Sequence, residues 1–128
     1  MRSAVKQIKR STLVKRADKA FSEYIRERDG YQCFTCGLVG AEKDGVMQCG
    51  HLFTRVSHST RWDELNSHCQ CRGCNMLHEH DPHRYISRFI EKYGLMKYEE
   101  LYAKHKQTGT KFSNADLLLL EKLFLEKL

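Results

Sequence analysis

The chain has 128 residues, of which 41% are hydrophobic and 30% charged, and this length suits one domain with a modest core. It contains no apolar run of about 18 residues, which excludes a transmembrane helix, and its basic N-terminus lacks the uninterrupted apolar segment of a secretory signal. We therefore expect a cytoplasmic protein with no membrane partner. A net charge of +6 favours a polyanionic partner, usually nucleic acid.

The positive charge is concentrated at the N-terminus. Residues 1–19 carry seven basic side chains and one acidic one, so their net charge equals that of the whole chain. We predict that residues 1–12 form a basic arm that binds DNA through charge, and a solvated tail is the alternative. The candidate DNA contacts in this region are Lys6, Lys9, Arg10, Lys15 and Arg16.

An apolar stripe then predicts a helix over about residues 13–29. Ala17, Phe21 and Ile25 recur at four-residue spacing, and Gly30 stands where such a helix would end. The first of two Cys-x-x-Cys pairs follows directly.

The two Cys-x-x-Cys pairs predict a structural metal site. Four thiolates are the number that tetrahedral zinc needs, and in a reducing compartment such cysteines are zinc ligands rather than disulfides. The predicted ligands are Cys33, Cys36, Cys71 and Cys74. The other two cysteines, Cys49 and Cys69, are interpreted as small packing residues, with a ligand role as the alternative.

The segment between the cysteine pairs is longer than the loop of a simple zinc ribbon, so it must have structure of its own. We predict a strand over residues 46–53, a polar irregular stretch over 54–65 and a second strand over about 66–70. A short helical turn is expected around and beyond Asn75.

Two helices are predicted after this turn. Asp81 and Pro82 suit the N-cap and first position of a helix that Gly94 ends, and a second helix covers about residues 97–107.

The last predicted helix lies within residues 111–128. It opens at Ser113, with Asp116 three residues later as an approximate capping box. Its remaining positions are apolar on almost every side, which is more than a one-sided surface helix needs. This leucine-rich helix is therefore either buried in the chain or paired with a second copy, and we expect a homodimer.

The residues between and after the cysteine pairs can support phosphodiester hydrolysis. A histidine at a strand end can act as general base on water, beside a divalent ion that stabilises charge on the phosphate. His51 supplies the imidazole, and Asn75, next to the zinc ligand Cys74, supplies a carbonyl oxygen. The zinc would hold the two in register.

These residues resemble the HNH, or ββα-metal, nuclease motif. The strings C-x-x-C, G-H-L and N-S-H-C-Q-C-R-G-C-N carry the resemblance. It implies that His51 is the general base, Asn66 orders the connecting loop, and Asn75 binds the catalytic ion.

A longer set of strings resembles a narrower family. K-R-A-D-K-A-F-S-E-Y-I-R-E-R-D, T-R-W-D-E-L-N and C-Q-C-R-G-C-N are similar to the lambdoid phage NinG (Rap) recombination endonucleases. The resemblance covers about residues 15–100 and implies cutting of branched DNA, such as Holliday junctions and D-loops, in a bacterial host cell. The layout is also similar to the homodimeric phage endonuclease VII type of junction resolvase.

The chain departs from many HNH sequences at one position. They place an aspartate, a second metal ligand, before the base histidine, where this chain has Gly50. The other candidate ligands are Asp81, Glu79 and His78. Magnesium would prefer the carboxylates, whereas manganese, nickel or zinc would accept histidine, and we expect Mg²⁺ or Mn²⁺.

The sequence thus predicts an α+β fold that is mostly helical, with a zinc-stapled ββα-metal core in a nuclease domain over residues 13–110. Arg55, Arg61 and Arg72 are candidate phosphate contacts, or else solvated surface charges. The alternatives to a branch-cutting endonuclease are a non-catalytic zinc module that binds DNA, and an HNH nickase without branch preference.

Overall fold

The computed structural model describes residues 7–41 and 45–128. It is an α+β fold, mostly helical with one small sheet, as the sequence predicts. The elements are α1 (Arg10–Arg28), β1 (Met47–His51), α2 (His58–Arg61), β2 (Ser67–Cys71), α3 (Arg72–His78), α4 (His83–Tyr93), α5 (Leu95–His105) and α6 (Asn114–Glu126). No helix among the described residues is both long and apolar enough to cross a membrane.

The described residues fall into two compact units. One contains residues up to Tyr24 together with Lys111–Leu128, and the other contains Ile25–Thr110. Every predicted catalytic residue and every predicted zinc ligand lies in the second unit.

The first unit packs α6 against α1. The ring of Phe124, buried on α6, lies 4.8 Å from that of Phe21 and 5.5 Å from that of Tyr24. The predicted capping box of α6 is confirmed, because Ser113 Oγ accepts from the Asp116 amide and the Asp116 carboxylate accepts from the Ser113 amide.

Part of the apolar surface of α6 is therefore buried within the chain. The leucines of its remaining surface are 45–64% exposed. They are Leu119, Leu123 and Leu125, and Leu128, just after the helix, is exposed to a similar extent. The homodimer stays a prediction.

The second unit is built around an antiparallel hairpin of β1 and β2. Met47 pairs with Cys71 at one end and His51 with Ser67 at the other. Every residue of β2 is buried, and the strand contacts both β1 and α3.

Two apolar clusters stabilise this unit. One contains Met47 and Cys69 together with two of the predicted zinc ligands, Cys33 and Cys71. The other joins Leu52, just after β1, to α4 and α5 through Tyr85, Phe89 and Leu101. Burial of these side chains fixes the helices on the hairpin.

Several boundaries differ from the predicted ones. Helix α1 begins at Arg10, inside the predicted arm. The polar stretch 54–65 contains the four-residue helix α2, too short for a periodic signal. Helix α4 begins at His83, one residue after Pro82, and the Asp81 carboxylate accepts from the His83 amide at 3.3 Å.

Candidate functional site

Four cysteines form a site that could hold zinc. The sulfurs of Cys33, Cys36, Cys71 and Cys74 all lie within 4.8 Å of one another. The Cys36 and Cys71 sulfurs are 3.8 Å apart, close to the separation of about 3.8 Å that a tetrahedron with Zn–S bonds of about 2.3 Å requires. A disulfide would bring two sulfurs to about 2 Å. The donor set therefore fits structural zinc.

Local backbone geometry shapes both cysteine pairs. The Cys33 amide donates to the Leu38 carbonyl at 2.8 Å, and Gly37 closes the turn with φ +82°. Backbone amides of Cys36 and Cys74 point at the sulfurs of Cys33 and Cys71, at 3.5 and 3.4 Å. Such N–H groups favour thiolates over thiols.

Ionisation of Cys33 illustrates this effect. Burial acts to raise the pKa of the thiol, but backbone N–H groups around its sulfur more than offset burial and lower the pKa to about 7. A thiolate at this position is the form that binds zinc.

The other two cysteines face each other across the hairpin. Cys49 pairs with Cys69, and neither belongs to the four-sulfur group. Cys69 is fully buried, and burial raises the pKa of its thiol to about 12. The structure supports the predicted packing role for Cys69.

His51, the predicted general base, is the last residue of β1. Its Nε2 lies 3.0 Å from the carbonyl oxygen of Arg61, at the end of α2. A carbonyl can only accept, so Nε2 carries the hydrogen and, in a neutral ring, Nδ1 carries the lone pair. This bond fixes both the orientation and the tautomer of the imidazole.

Asn66, the predicted loop-ordering residue, is fully buried. Its Oδ1 accepts from the Phe53 amide at 2.9 Å, and its Nδ2 donates to the carbonyls of Phe53 and Thr60 at 2.9 and 3.1 Å. The amide therefore joins the end of β1 to the loop that carries α2.

Asn75, the predicted metal ligand, lies in the first turns of α3 and is partly exposed. Its Nδ2 donates to Gln48 Oε1 at 2.9 Å. Because Gln48 binds the nitrogen, the side chain is oriented with its oxygen available to another partner. The side chain of Asn75 is thus held by Gln48 of β1, whereas the ring of His51 is held by the Arg61 carbonyl at the end of α2.

The remaining metal candidates differ in placement. His78 Nε2 lies 2.8 Å from the Leu52 carbonyl, and the ring packs 4.9 Å from that of Tyr85. Glu79 and Asp81 are exposed. Among the described residues, these three side chains do not come together in a second cluster of potential metal ligands as compact as that of the four cysteines.

The candidate DNA contacts divide into engaged and exposed side chains. Arg16 makes a two-point ion pair with Glu121 at 2.6 and 2.9 Å, and Arg10 donates to Asn114 and to the Phe112 carbonyl. Their predicted role as DNA contacts is weakened, because these partners already use their donors.

The other candidates are distributed over the surface. Arg61 is partly buried, and its guanidinium lies 5.3 Å from the Trp62 ring. The exposed candidates are Lys9, Lys15, Arg55 and Arg72. Lys6 lies outside the described residues.

His68 is a buried residue that no sequence pattern singles out. Its Nδ1 and Nε2 lie 2.9 Å from the hydroxyls of Tyr85 and Tyr93, and its ring stacks 4.1 Å from that of Phe34. Burial lowers the pKa of His68 to about 3, and nearby positive charges add to that effect. Tyr85 donates its hydroxyl to the Gly50 carbonyl, which connects this network to β1.

Comparison with known proteins identifies relatives from phages. The family model described as NinG, Bacteriophage Lambda NinG protein, matches residues 1–127. Protein ninG of Salmonella phage P22 is 35% identical over 101 residues, which are 77% of this chain and 48% of that protein. Protein ninG of Escherichia phage 933W and of Escherichia phage lambda are 33% and 32% identical over the same shares.

The chain therefore spans about half the length of these relatives. No solved structure matches it.

Proposed function

The chain belongs to the NinG family of lambdoid phage proteins, and on that premise we propose that it is a metal-dependent HNH endonuclease that cuts branched DNA, such as Holliday junctions and D-loops. The proposed chemistry is hydrolysis of a phosphodiester by water. The proposed core is a ββα-metal motif made of β1, β2 and α3, with zinc at the four cysteines.

One observation carries the proposal: the hydrogen bond between His51 and the Arg61 carbonyl. With Nε2 donating to that carbonyl at 3.0 Å, the Nδ1 lone pair is the basic atom of the ring. A general base must present a lone pair in a fixed direction to abstract a proton from water. His51 is partly exposed, so water can reach it.

The surroundings of His51 support the same role. Asn66 connects the backbone of Phe53, two residues past His51, to Thr60, one residue before Arg61. The loop that positions the accepting carbonyl is thus tied to the end of the strand that carries the imidazole. Such support limits the angular freedom of a catalytic ring.

Asn75 supplies an oxygen on the helix of the proposed motif. The Asn75 Nδ2 donates a hydrogen bond to Gln48, which orients the amide. Its Oδ1 is left to act as an oxygen ligand for a hard cation. A bound divalent ion would offset negative charge on the scissile phosphate and the leaving oxygen. Asn75 would orient that charge relative to His51.

Binding to DNA would rely on charge rather than on base contacts. The exposed candidates Lys9, Lys15, Arg55 and Arg72 can contact phosphates, which carry no sequence information. Branch recognition would then follow from shape. Pairing of two copies through the exposed leucines of α6 would place two sites on one junction.

The second candidate function is a zinc module that binds DNA without cutting it. It would use the same cysteines and basic side chains, and it is favoured by Gly50, which offers no side chain to a catalytic ion. An HNH nickase without branch preference would share every site residue with the proposed enzyme.

Cleavage of a labelled four-way junction and a linear duplex of the same sequence tests the proposal. The zinc-loaded protein would be incubated with each substrate in Mg²⁺, in Mn²⁺ and without an added divalent ion, and binding would be measured by gel shift in parallel. Metal-dependent cutting of the junction alone is the expected result.

The alternatives give different results. Equal cutting of both substrates would support the nickase and contradict a preference for branched DNA. A junction that shifts on the gel but stays intact in both metals would support the binding module. Loss of cutting in His51→Ala with unchanged binding is expected only for a nuclease in which His51 acts chemically.

A further inference from the structure

An open cavity of about 430 Å³ lies between the loop that follows β1 and the end of α5. One wall comes from residues 54–59 and the other from residues 105–110. Binding pockets for small ligands commonly have volumes of about 300–1,000 Å³. The cavity is therefore large enough for a group of the size of one nucleotide.

Serine hydroxyls join the two walls of this cavity. Ser57 Oγ donates to the His105 carbonyl at 2.9 Å, and Ser59 Oγ donates to the Lys104 carbonyl at 2.6 Å. The His105 ring also stacks on that of Phe53 at 4.4 Å. These contacts within the chain hold the end of α5 against α2. The cavity is thus preformed, which lowers the cost of binding a ligand.

The composition of the walls suits a phosphate group. Three threonines line the cavity: Thr54, Thr108 and Thr110. Hydroxyl side chains are common hydrogen-bond donors to the phosphate oxygens of DNA. Residues 54–59 and 105–110 also contain two exposed basic side chains, Arg55 and Lys106, and no acidic one. The charge of both walls therefore favours an anionic ligand.

We propose that the cavity binds one unpaired nucleotide of a DNA strand, with its phosphate at the threonines and Arg55 and its base against Val56. Val56 lines the cavity and is 88% exposed, so it is open to such a contact. The bases of a duplex are stacked and paired, whereas the base of an unpaired nucleotide is free to enter a cavity. His58 belongs to the same wall, but its ring lies beside that of Trp62, and it is assigned no contact.

As a contact for branched DNA, this inference rests on the proposed nuclease function. The carbonyl that holds His51 belongs to Arg61, the last residue of α2, whereas residues at the start of α2 line the cavity. A helix of four residues is only about 6 Å long. A nucleotide in the cavity would therefore hold the unpaired part of a branch near the proposed general base.

Binding of a short labelled oligothymidine strand to the full, zinc-loaded chain tests the site. Fluorescence anisotropy would be measured without an added divalent ion, with a duplex carrying the same label in parallel. Thr108→Glu and Val56→Ala are the main variants, because both residues are exposed and line the cavity. Thr108→Glu should weaken binding of the single strand about tenfold through repulsion of the phosphate.

Val56→Ala tests the contact with the base. Loss of two methyl groups from this contact should weaken binding of the single strand roughly threefold. Binding of the duplex should not change, because its bases do not enter the cavity.

Ser87→Glu is the matched control for Thr108→Glu. It also replaces a hydroxyl side chain with a carboxylate, so the net charge changes equally, but Ser87 is exposed on α4 and does not line the cavity. Thr108→Glu should weaken binding of the single strand clearly more than Ser87→Glu does.

A gain of affinity separates the site from an effect of misfolding. Gln107→Lys adds a positive charge to the same wall and should tighten binding of the single strand. The slope of the logarithm of affinity against the logarithm of salt concentration should become steeper by about 0.7, the value for one further phosphate contact on a single strand.

The outcomes separate this inference from the proposed function. Equal weakening by Thr108→Glu and Ser87→Glu, or no tightening by Gln107→Lys, would overturn the site, even if the protein cuts junctions. Equal effects of Val56→Ala on duplex and single strand would overturn the unpaired nucleotide as its occupant. Binding that depends on these residues in a protein that cuts no DNA would sustain the site and contradict the nuclease.

Discussion

The amide of Gln70 lies against the backbone of Gly50, in the space where a β-carbon at position 50 would be. The two residues are on neighbouring strands, Gly50 opposite His68 and Gln70 opposite Gln48. The Gln70 side chain of β2 therefore fills the space that a side chain at position 50 would need. An acidic ligand at position 50 and a buried glutamine at position 70 are mutually exclusive in this packing.

This packing predicts that Gly50→Ala destabilises the protein. Either the Gln70 amide or the strand must shift, and overpacking of this kind costs about 1–3 kcal/mol in the free energy of unfolding. Urea unfolding of the zinc-loaded protein measures it. Gly73→Ala is the control, since a β-carbon added to Gly73 in α3 would meet no atom within 4 Å, and it should be neutral or stabilising.

A double-mutant cycle makes that prediction specific. In a Gln70→Ser background the shortened side chain leaves room, so Gly50→Ala should cost much less than in wild type. An equal cost in both backgrounds would show that the strain has another origin.

Loss of one zinc ligand should unfold the hairpin region. Cys36→Ser removes one of four sulfurs, so the chain should lose its zinc and its melting temperature should fall by more than about 10 °C. Metal content by atomic emission and thermal unfolding by circular dichroism measure the two effects.

Cys49→Ser is the matched control for the zinc prediction. Cys49 lies outside the four-sulfur group, so the variant should keep one zinc per chain. Loss of zinc from Cys49→Ser, or full retention by Cys36→Ser, would contradict the assignment of the ligands.

Asn66→Ala should be strongly destabilising. The substitution leaves a buried amide and two carbonyls of the loop without their bonds, at about 1–3 kcal/mol for each group that stays unpaired. Asn75→Ala, which removes a single bond at a partly exposed position, should cost less than about 1 kcal/mol. Chemical unfolding at pH 7 measures the loss of unfolding free energy in each variant. Equal losses would contradict the role of Asn66 in joining the end of β1 to the loop that carries α2.

The stability of the protein should depend on the protonation of His68. Burial lowers its pKa to about 3 in the folded state, against about 6.5 in the unfolded chain, so the unfolded state binds the proton first as pH falls. Its contribution is complete above about pH 6.5 and declines toward pH 3, by up to about 1.4 kcal/mol per pH unit.

Unfolding of wild type and His68→Gln between pH 7 and 5 measures this dependence. Protonation of the zinc ligands affects both proteins, so the difference between their slopes reports His68. His83→Gln, at an exposed position, should retain the wild-type slope. A wild-type slope in His68→Gln would contradict a buried neutral imidazole.

The sequence could predict the features that depend on local spacing. Two Cys-x-x-Cys pairs have one simple way to share an ion, and Ser113 with Asp116 has one simple capping geometry, so both are found where expected. Asn66 bonds the backbone of Phe53, and its role in a nuclease motif stays a prediction.

Features that depend on how elements pack could not be predicted. Arg16 pairs with Glu121, which is 105 residues away in the chain, and no local pattern indicates that its charge is engaged. His78, on α3, and Gln70, on β2, line one small cavity because α3 packs against the hairpin. Among the clustered histidines, only that packing distinguishes His78 from the exposed His80 and His83.

We propose that His51 acts as the general base of a metal-dependent nuclease. The most direct measurement is the single-turnover rate of junction cleavage at saturating protein for wild type, His51→Ala and His58→Ala, with the dissociation constant of each measured separately. His58 is an exposed histidine in the adjacent helix α2 and serves as the control.

His51→Ala is expected to lower the cleavage rate by about 10²–10⁴-fold without weakening binding, whereas His58→Ala should cut as wild type does. Cleavage at the wild-type rate by His51→Ala would contradict the assignment of His51 as the general base.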